Sequence, residues 1–500
     1  MRALKAVSDD LRLRLVYAAL AFLLSACWLY ANSQQFLSDP DVFWHIKVGQ
    51  DLWKSGRFPT NDTYSYTFSG QPWIAKEWLS QVILFLTWRC GGWDSVVALI
   101  TCILAFTAGL HCFFLARRLR GVVALLLALA ALFLSMQTYL ARPHILTFPL
   151  VILWVEYLIG QASEKKVPSF MMLPAMTLWA NLHASFTIGF VLAALSFMVF
   201  VEKTLLSEPT KTYKWVLFLA GCVVASLIHP YGVQPLIATF NVFGGNKWLE
   251  LPGEWHPVDW VEEPLHQIVL LAAVVMVLRF GVRIGFAKIA FVMTVLHLFH
   301  SHIRFAYLYY YLMPLVCSHE IAVRSPALAA PYPERRLDDH IADFLARQWA
   351  KICALVLILY ANIAGFVFVN GGASPARNIA PDAALAFVKS RNISGNVLNS
   401  GEFGGFLIFN GVKTFVDGRT DQLFGNAFLE SLLTAGHAGG CRNLAKLLTA
   451  YDVGWTLLLP SDKKAAVLDG MPGWTRSYSD PYVVVFVRAN TSLVKCLPNP

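Results

Sequence analysis

Apolar residues in this chain fall into long runs, not into the short alternations that mark half-buried strands. About eleven runs stand near residues 13–31, 94–116, 121–140, 145–160, 168–182, 184–201, 215–230, 265–278, 286–300, 303–320 and 350–370. Roughly 20 mostly apolar residues cross a bilayer as a helix, so each run reads as a candidate span. The pair covering 168–201 is interrupted by Pro168, Pro174 and Asn181-Leu182-His183; a broken helix of that kind is tolerated where it lines a cavity. The run 79–90 follows a polar loop and reads as a helix lying at the interface. Beyond Gly371 the pattern changes. Residues 395–399, 412–417, 454–459 and 482–487 read as strands, being apolar and β-branched and bounded by Gly, Pro, Asp or Asn. Residues 381–389 and 441–451 read as helices alternating with them, which favours a mixed or parallel sheet.

The expected fold is a polytopic α-helical membrane protein with about eleven transmembrane helices and a C-terminal α/β extracytoplasmic domain. Its domains would be 1–370, with a first outer loop at 32–78, and 371–500. Composition agrees: 57% of the 500 residues are hydrophobic and only 14% charged, against about a quarter charged in soluble proteins. A cytosolic enzyme is excluded. The net charge of +9 is no argument for nucleic acid, because in a membrane chain the location of basic residues outweighs their sum. Twenty of the 40 Lys and Arg fall on alternate connections beginning with the N-terminus, and only eight on the intervening ones. By the positive-inside rule the N-terminus is then cytoplasmic and the tail outside. Leu24-Ser25-Ala26-Cys27 imitates a lipoprotein cleavage box, but the apolar run continues through Tyr30 and reads as a full span. The nine cysteines form no CxxC pair and no zinc spacing. Two of them, Cys441 and Cys496, lie in the tail, where an oxidising compartment would permit a disulfide.

Polar groups near a bilayer are costly and tend to mark function. Six separated segments bring them to the expected outer face: Asp39-Pro40-Asp41, Glu77-Trp78, Arg142-Pro143-His144, Asn181-Leu182-His183, His229-Pro230-Tyr231 and His300-Ser301-His302-Ile303-Arg304. Asp39 and Asp41 read as a catalytic acid pair, able to serve as general base or to hold a divalent cation such as magnesium or manganese. The plainer reading is an Asp capping the helix that begins near Val42. Glu77 is either a second acid or a cap. Arg304, Arg142, His302, His300 and His144 are candidates for binding phosphate, with His45 and His183 as further candidates at the same site; the arginines could equally snorkel to head groups. The tryptophans of the outer segments, Trp255 and Trp260 among them, read as an interfacial belt whose members could also stack on a sugar. In the tail, Asp417-Gly418-Arg419-Thr420-Asp421 follows an expected strand and reads as a ligand-contacting loop or a plain turn.

These residues resemble the GT-C superfamily of membrane glycosyltransferases, which use polyprenyl-phosphate-linked sugars. The resemblance is carried by SDPDVFWH in the first outer loop, the interfacial helix, the span count and the outer C-terminal domain. It is closest to uncharacterised bacterial members with DPDxWWH followed by EWL, here DPDVFWH and EWL, and extends to ARPHILTF, LWANLHASF, HPYG, NSGEFGGFLIFNGVKTFVDGRTD and YDVGWTLLLP. It implies that Asp41 or Asp39 is the general base, or holds a metal as in the oligosaccharyltransferase branch. It further implies inverting transfer from a polyprenyl-phosphate sugar donor to an envelope glycan, lipid or protein acceptor, in a bacterial inner membrane and with no nucleic acid partner. WWDYG is lacking, which argues against asparagine as acceptor. Competing readings are a lipid-linked saccharide flippase or transporter, or a non-catalytic assembly partner on the same scaffold.

Overall fold

Among the described residues the long apolar runs are helices. The computed structural model describes residues 2–243, 255–330, 372–436 and 440–489, with single positions between 344 and 365. Its helices up to residue 330 are α1 (Arg2–Ala31), α2 (Asp41–Ser55), α3 (Trp78–Leu115), α4 (Gly121–Leu134), α5 (Phe148–Ser163), α6 (Leu173–Leu182), α7 (Phe186–Thr204), α8 (Pro209–Ser226), α9 (Gln234–Phe243), α10 (Pro264–Phe280), α11 (Phe286–Ser301) and α12 (Ala306–Arg324). Four are long and apolar enough to cross a membrane: Asp10–Ala31 in α1, α3, Pro143–Ser163 containing α5, and α7. α4, α10, α11 and Phe170–Leu182 are apolar but shorter. The expected span at 350–370 lies almost wholly outside the described residues.

Two expectations change in detail. The interfacial stretch 79–90 and the span 94–116 form one element, α3, broken where Gly92 adopts a left-handed φ of 64°, a conformation open to glycine at little cost. The run 121–140 is helical only to Leu134; Ser135 starts a tighter turn over Met136–Thr138, and the Tyr139 hydroxyl returns to the Leu132 carbonyl at 2.8 Å.

The chain divides into two compact units: Met1–Gln35, Val96–Gly232 and Pro252–Ala373 in one, Phe36–Ser95, Val233–Leu251 and Ser374–Pro500 in the other. This is not the division at residue 370 that the hydropathy pattern suggests, because the first loop belongs with the tail. In the first unit, the helix ends that carry the expected inside residues are tied by buried or half-buried ions. Arg118 forks onto Glu156 at 2.9 Å and Arg117 reaches the same carboxylate at 3.2 Å. Lys288 pairs with Glu320 at 2.8 Å. Glu202 of α7 accepts the first backbone N–H groups of α11, from Phe286 and Ala287, at 2.8 and 3.0 Å. A charge at low dielectric persists only when paired, and here each pairing pins one helix to another.

The second unit adds α13 (Asp382–Ser390), α14 (Gly404–Phe409), α15 (Asn426–Thr434), α16 (Gly440–Ala450) and α17 (Lys463–Asp469), with strands β1 (Asn396–Asn399), β2 (Val453–Leu457), β3 (Trp474–Ser479) and β4 (Val484–Arg488). The sheet order is β1-β2-β4-β3. β1 and β2 run parallel, in register at Leu398 and Thr456, while β4 is antiparallel to β2 and β3, so the sheet is mixed. The expected strand at 412–417 does not form. Instead, the Asn399 amide accepts from Phe415 N–H at 2.9 Å and donates to Val416 O at 2.7 Å, doing with one side chain what a ladder would do. β3 escaped the hydropathy pattern because it is an edge strand with mostly polar, exposed side chains.

Cys441 is disulfide-bonded; the expected partner, Cys496, lies outside the described residues. Intact-mass analysis after non-reducing alkylation should find both thiols blocked. Alkylation of Cys496 in the unreduced protein would reject the pairing.

Candidate functional site

The candidate residues fall into two groups, one in each unit. In the second unit, Asp39 precedes α2 and accepts the Asp41 backbone N–H through Oδ1 at 2.8 Å. The N-cap itself is Pro40, which offers no side-chain cap; Asp39, one residue earlier and buried, holds the first N–H of α2 where the helix dipole favours a negative charge. Asp41 occupies the first turn and accepts the Trp44 indole N–H at 3.0 Å. It stays partly exposed while Val42, Phe43, Trp44, His45 and Ile46 are all buried. His45 stacks on Trp44, with ring centroids 3.7 Å apart, and its Nδ1 meets the Gln81 amide at 3.3 Å. Glu77 is buried just before α3, and its carbonyl accepts Gln81 N–H at 3.1 Å.

The tail is seated on this acid pair. Phe43 meets Phe406 and Phe409 of α14 edge-on, each at 5.6 Å. A β-carbon added to Gly405 would collide with the Pro40 carbonyl, and one added to Gly418 with Asp41 Oδ1, so GEFGGF and VDGRTD owe their glycines to close approach. The residues around Gly418 bind the first loop directly. Arg419, fully buried, lies between Asp62 at 2.6 Å and Asp417 at 2.8 Å, with Tyr64 and Trp73 rings beside its guanidinium. Burial alone would depress the Arg419 pKa, but the two carboxylates more than offset it and hold the charge. Burial, and then the Asp51 carboxylate that its hydroxyl contacts, raise the Tyr64 phenol. Lys76 pairs with Asp421, and Gln422 clamps both backbone groups of Ile74, at 3.2 and 3.1 Å. DGRTD is thus neither a plain turn nor an isolated loop. It is the seam between first loop and tail, and neither Asp62 nor Gln422 stood out in the sequence.

In the first unit, one end of the helix bundle gathers the histidines. His144 lies 6.0 Å from His183, ring to ring, and its Nε2–H donates to Thr138 O at 2.9 Å. His183 accepts Ser185 N–H on Nδ1 at 3.0 Å. Asn181 donates to Ile228 O beside His229. Residues 255–260 are stapled to 300–304: Val258 N–H to His300 O and Ile303 N–H to His256 O, both at 3.1 Å, and the His302 Nδ1–H to Trp255 O at 2.7 Å. The Trp260 indole donates to His300 Nδ1 at 3.0 Å, and the Arg304 guanidinium lies 4.2 Å from the Trp255 ring centre, within cation–π range. A carbonyl can only accept, so His302 carries its hydrogen on Nδ1, whereas neutral His183 and His300 carry theirs on Nε2. Trp255 and Trp260 are built into this cluster, more than a belt requires. Arg142 stands at the start of the turn Pro143–Thr147 that holds His144.

The candidate residues divide between the two units. Asp39, Asp41, His45 and Glu77 share one unit, and Arg304, His302, His300, Arg142, His144 and His183 share the other. For a divalent cation the donor set is thin. Among the described residues no group of three or more His, Cys, Asp or Glu could hold a metal, and Asp39 Oδ1 already serves the helix start. No protein-family model matches the chain, and no curated protein matches it either.

Proposed function

We propose that the chain is an inverting membrane glycosyltransferase of the GT-C kind, with about eleven spans, taking a sugar from a polyprenyl-phosphate donor. The observation that supports this reading most is Asp41: one partly exposed carboxylate in a stretch otherwise buried, preceded by a second carboxylate fixed at a helix start and seated against the tail by glycine. An acid held so rigidly suits a general base better than a surface charge. In this reading Asp41 takes the proton of the acceptor hydroxyl or amine, whose oxygen or nitrogen attacks the anomeric carbon as the lipid phosphate departs. In the first unit, Arg304, His302 and His300 are the groups this reading assigns to phosphate binding. The same reading has the protein in a bacterial inner membrane, with the N-terminus cytoplasmic and the C-terminal domain, 371–500, periplasmic.

Proteoliposomes given radiolabelled polyprenyl-phosphate sugar should release free lipid phosphate. Movement of intact label across the bilayer without release would favour a flippase instead. For the phosphate role, Arg304→Ala should cost about 10²-fold or more in turnover. Arg304→Lys should retain part of it, since a point charge restores some stabilisation without the planar fork. Equal turnover in Arg304→Ala and wild type would make Arg304 a head-group anchor. A phosphatase fused after Pro500 should be active and one after Arg120 inactive.

A further inference from the structure

The turn at 417–419 borders Asp41 itself. Gly418 has Asp41 Oδ1 and Cγ as the nearest atoms to the position its β-carbon would take, and Trp44 Nε1 next at 3.2 Å. The Asp41 carboxylate is thus confined between the Trp44 indole N–H at 3.0 Å and the bare backbone of Gly418. That backbone has little freedom of its own. Asp417 Oδ1 accepts both the Arg419 backbone N–H, at 3.1 Å, and its Nε–H, at 2.8 Å; Asp417 Oδ2 accepts Nη2–H and the Thr414 hydroxyl, both at 2.8 Å. Arg419 Nη1 then reaches across the chain to Asp62, whose carboxylate also accepts from Ser65 and from Tyr64 N–H. Asp417, Arg419 and Asp62 are each at most 2% exposed.

We infer that Gly418, held by the Asp62–Arg419–Asp417 triad, is a positioning residue that sets the direction of the Asp41 carboxylate. The unit does not depend on this turn alone for cohesion: Gln422 on Ile74, the backbone bonds of Thr414 to Tyr64 and Tyr66, and the Phe43 cluster with α14 join the first segments to the tail independently. Gly418 is not among the residues of positive φ, so alanine meets no backbone penalty there. One added methyl presses on Asp41 and Trp44 first, which makes Gly418→Ala a selective probe.

The inference rests on the transferase reading for its consequence, so the test has two arms. In the first, full-length Gly418→Ala in nanodiscs should lose about tenfold or more in kcat, as a misplacement near 1 Å does, with donor KM within about twofold and the melting temperature unchanged. In the second, the protein carries 5-fluorotryptophan and the Trp44 resonance is assigned with Trp44→Phe. Gly418→Ala should shift that resonance because it displaces the oxygen that accepts the indole N–H, and Asp41→Asn should shift it because the accepting oxygen loses its charge. An unmoved Trp44 resonance in Gly418→Ala overturns the inference whatever the activity, and so does wild-type kcat in that variant. If the wild-type protein releases no lipid phosphate, the transferase reading falls by itself, and the resonance alone then decides whether Gly418 positions Asp41.

Discussion

Asp41→Asn is expected to lower sugar transfer by about 10²–10⁴-fold, the usual contribution of a positioned base, with little change in expression or melting temperature. The substitution keeps an oxygen where Oδ1 accepts the Trp44 indole N–H, so packing of α2 survives while the proton acceptor is lost. Asp39→Asn should fall nearly as far by a different route. Its carboxylate holds the Asp41 N–H at 2.8 Å and adds a negative charge at the helix start, which a neutral amide supplies more weakly. Release of lipid phosphate from labelled donor, per folded protein, is the measurement. Wild-type turnover in the Asp39→Asn, Asp41→Asn double variant would end the general-base and metal readings together.

The largest effect on stability is expected at Arg419. Its removal leaves the Asp62 and Asp417 carboxylates facing each other without a cation in a site from which water is excluded, a change that costs about 3–5 kcal/mol in buried pairs of this kind. Arg419→Ala should therefore lower the thermal transition of the full-length protein and open residues 56–76 to limited proteolysis. The sign of the coupling is itself a check. Adding Asp62→Asn to Arg419→Ala should recover part of the loss, because one of the two stranded charges is then neutral. A double variant less stable than Arg419→Ala would mean that Asp62 serves the loop through Ser65 and Tyr64 N–H more than through the arginine.

How much of this was legible in the sequence follows from the range of each interaction. Helices announce themselves through runs of neighbouring residues, so ten of the eleven candidate runs coincide with helices, and the start of α2 near Val42 was readable from Asp39-Pro40-Asp41. The acid pair, the histidine segments and Arg304 were also readable, since an ionisable group beside a long apolar run is conspicuous. Pairings across the chain were not. Nothing local in residues 56–76 points to Arg419, whose partner Asp62 lies 357 positions away, and nothing local tells Trp255 and Trp260 apart from other interfacial tryptophans until the staple to 300–304 is seen. The strand expected at 412–417 failed for the same reason: its backbone is held by the Asn399 side chain of β1 and, at Thr414, by a single bridge to Ser65.

The discontinuity of the second unit sets a schedule for biosynthesis. At about 5–20 residues per second, the 357 residues between Asp62 and Arg419 separate their emergence from the ribosome by roughly 20–70 s. Throughout that interval the first loop holds Asp62, Tyr64 and Trp73 with no arginine to bury against. Phe43 must wait still longer than its own helix needs, since Phe406 and Phe409 are made near the end. A nascent chain of this design stays vulnerable in its first loop until the segment carrying Arg419 arrives. Truncations within the tail should accordingly be recognised by proteolysis near residue 60, far from the cut, and a pulse-chase experiment should show that site becoming protected only after residue 419 has been synthesised.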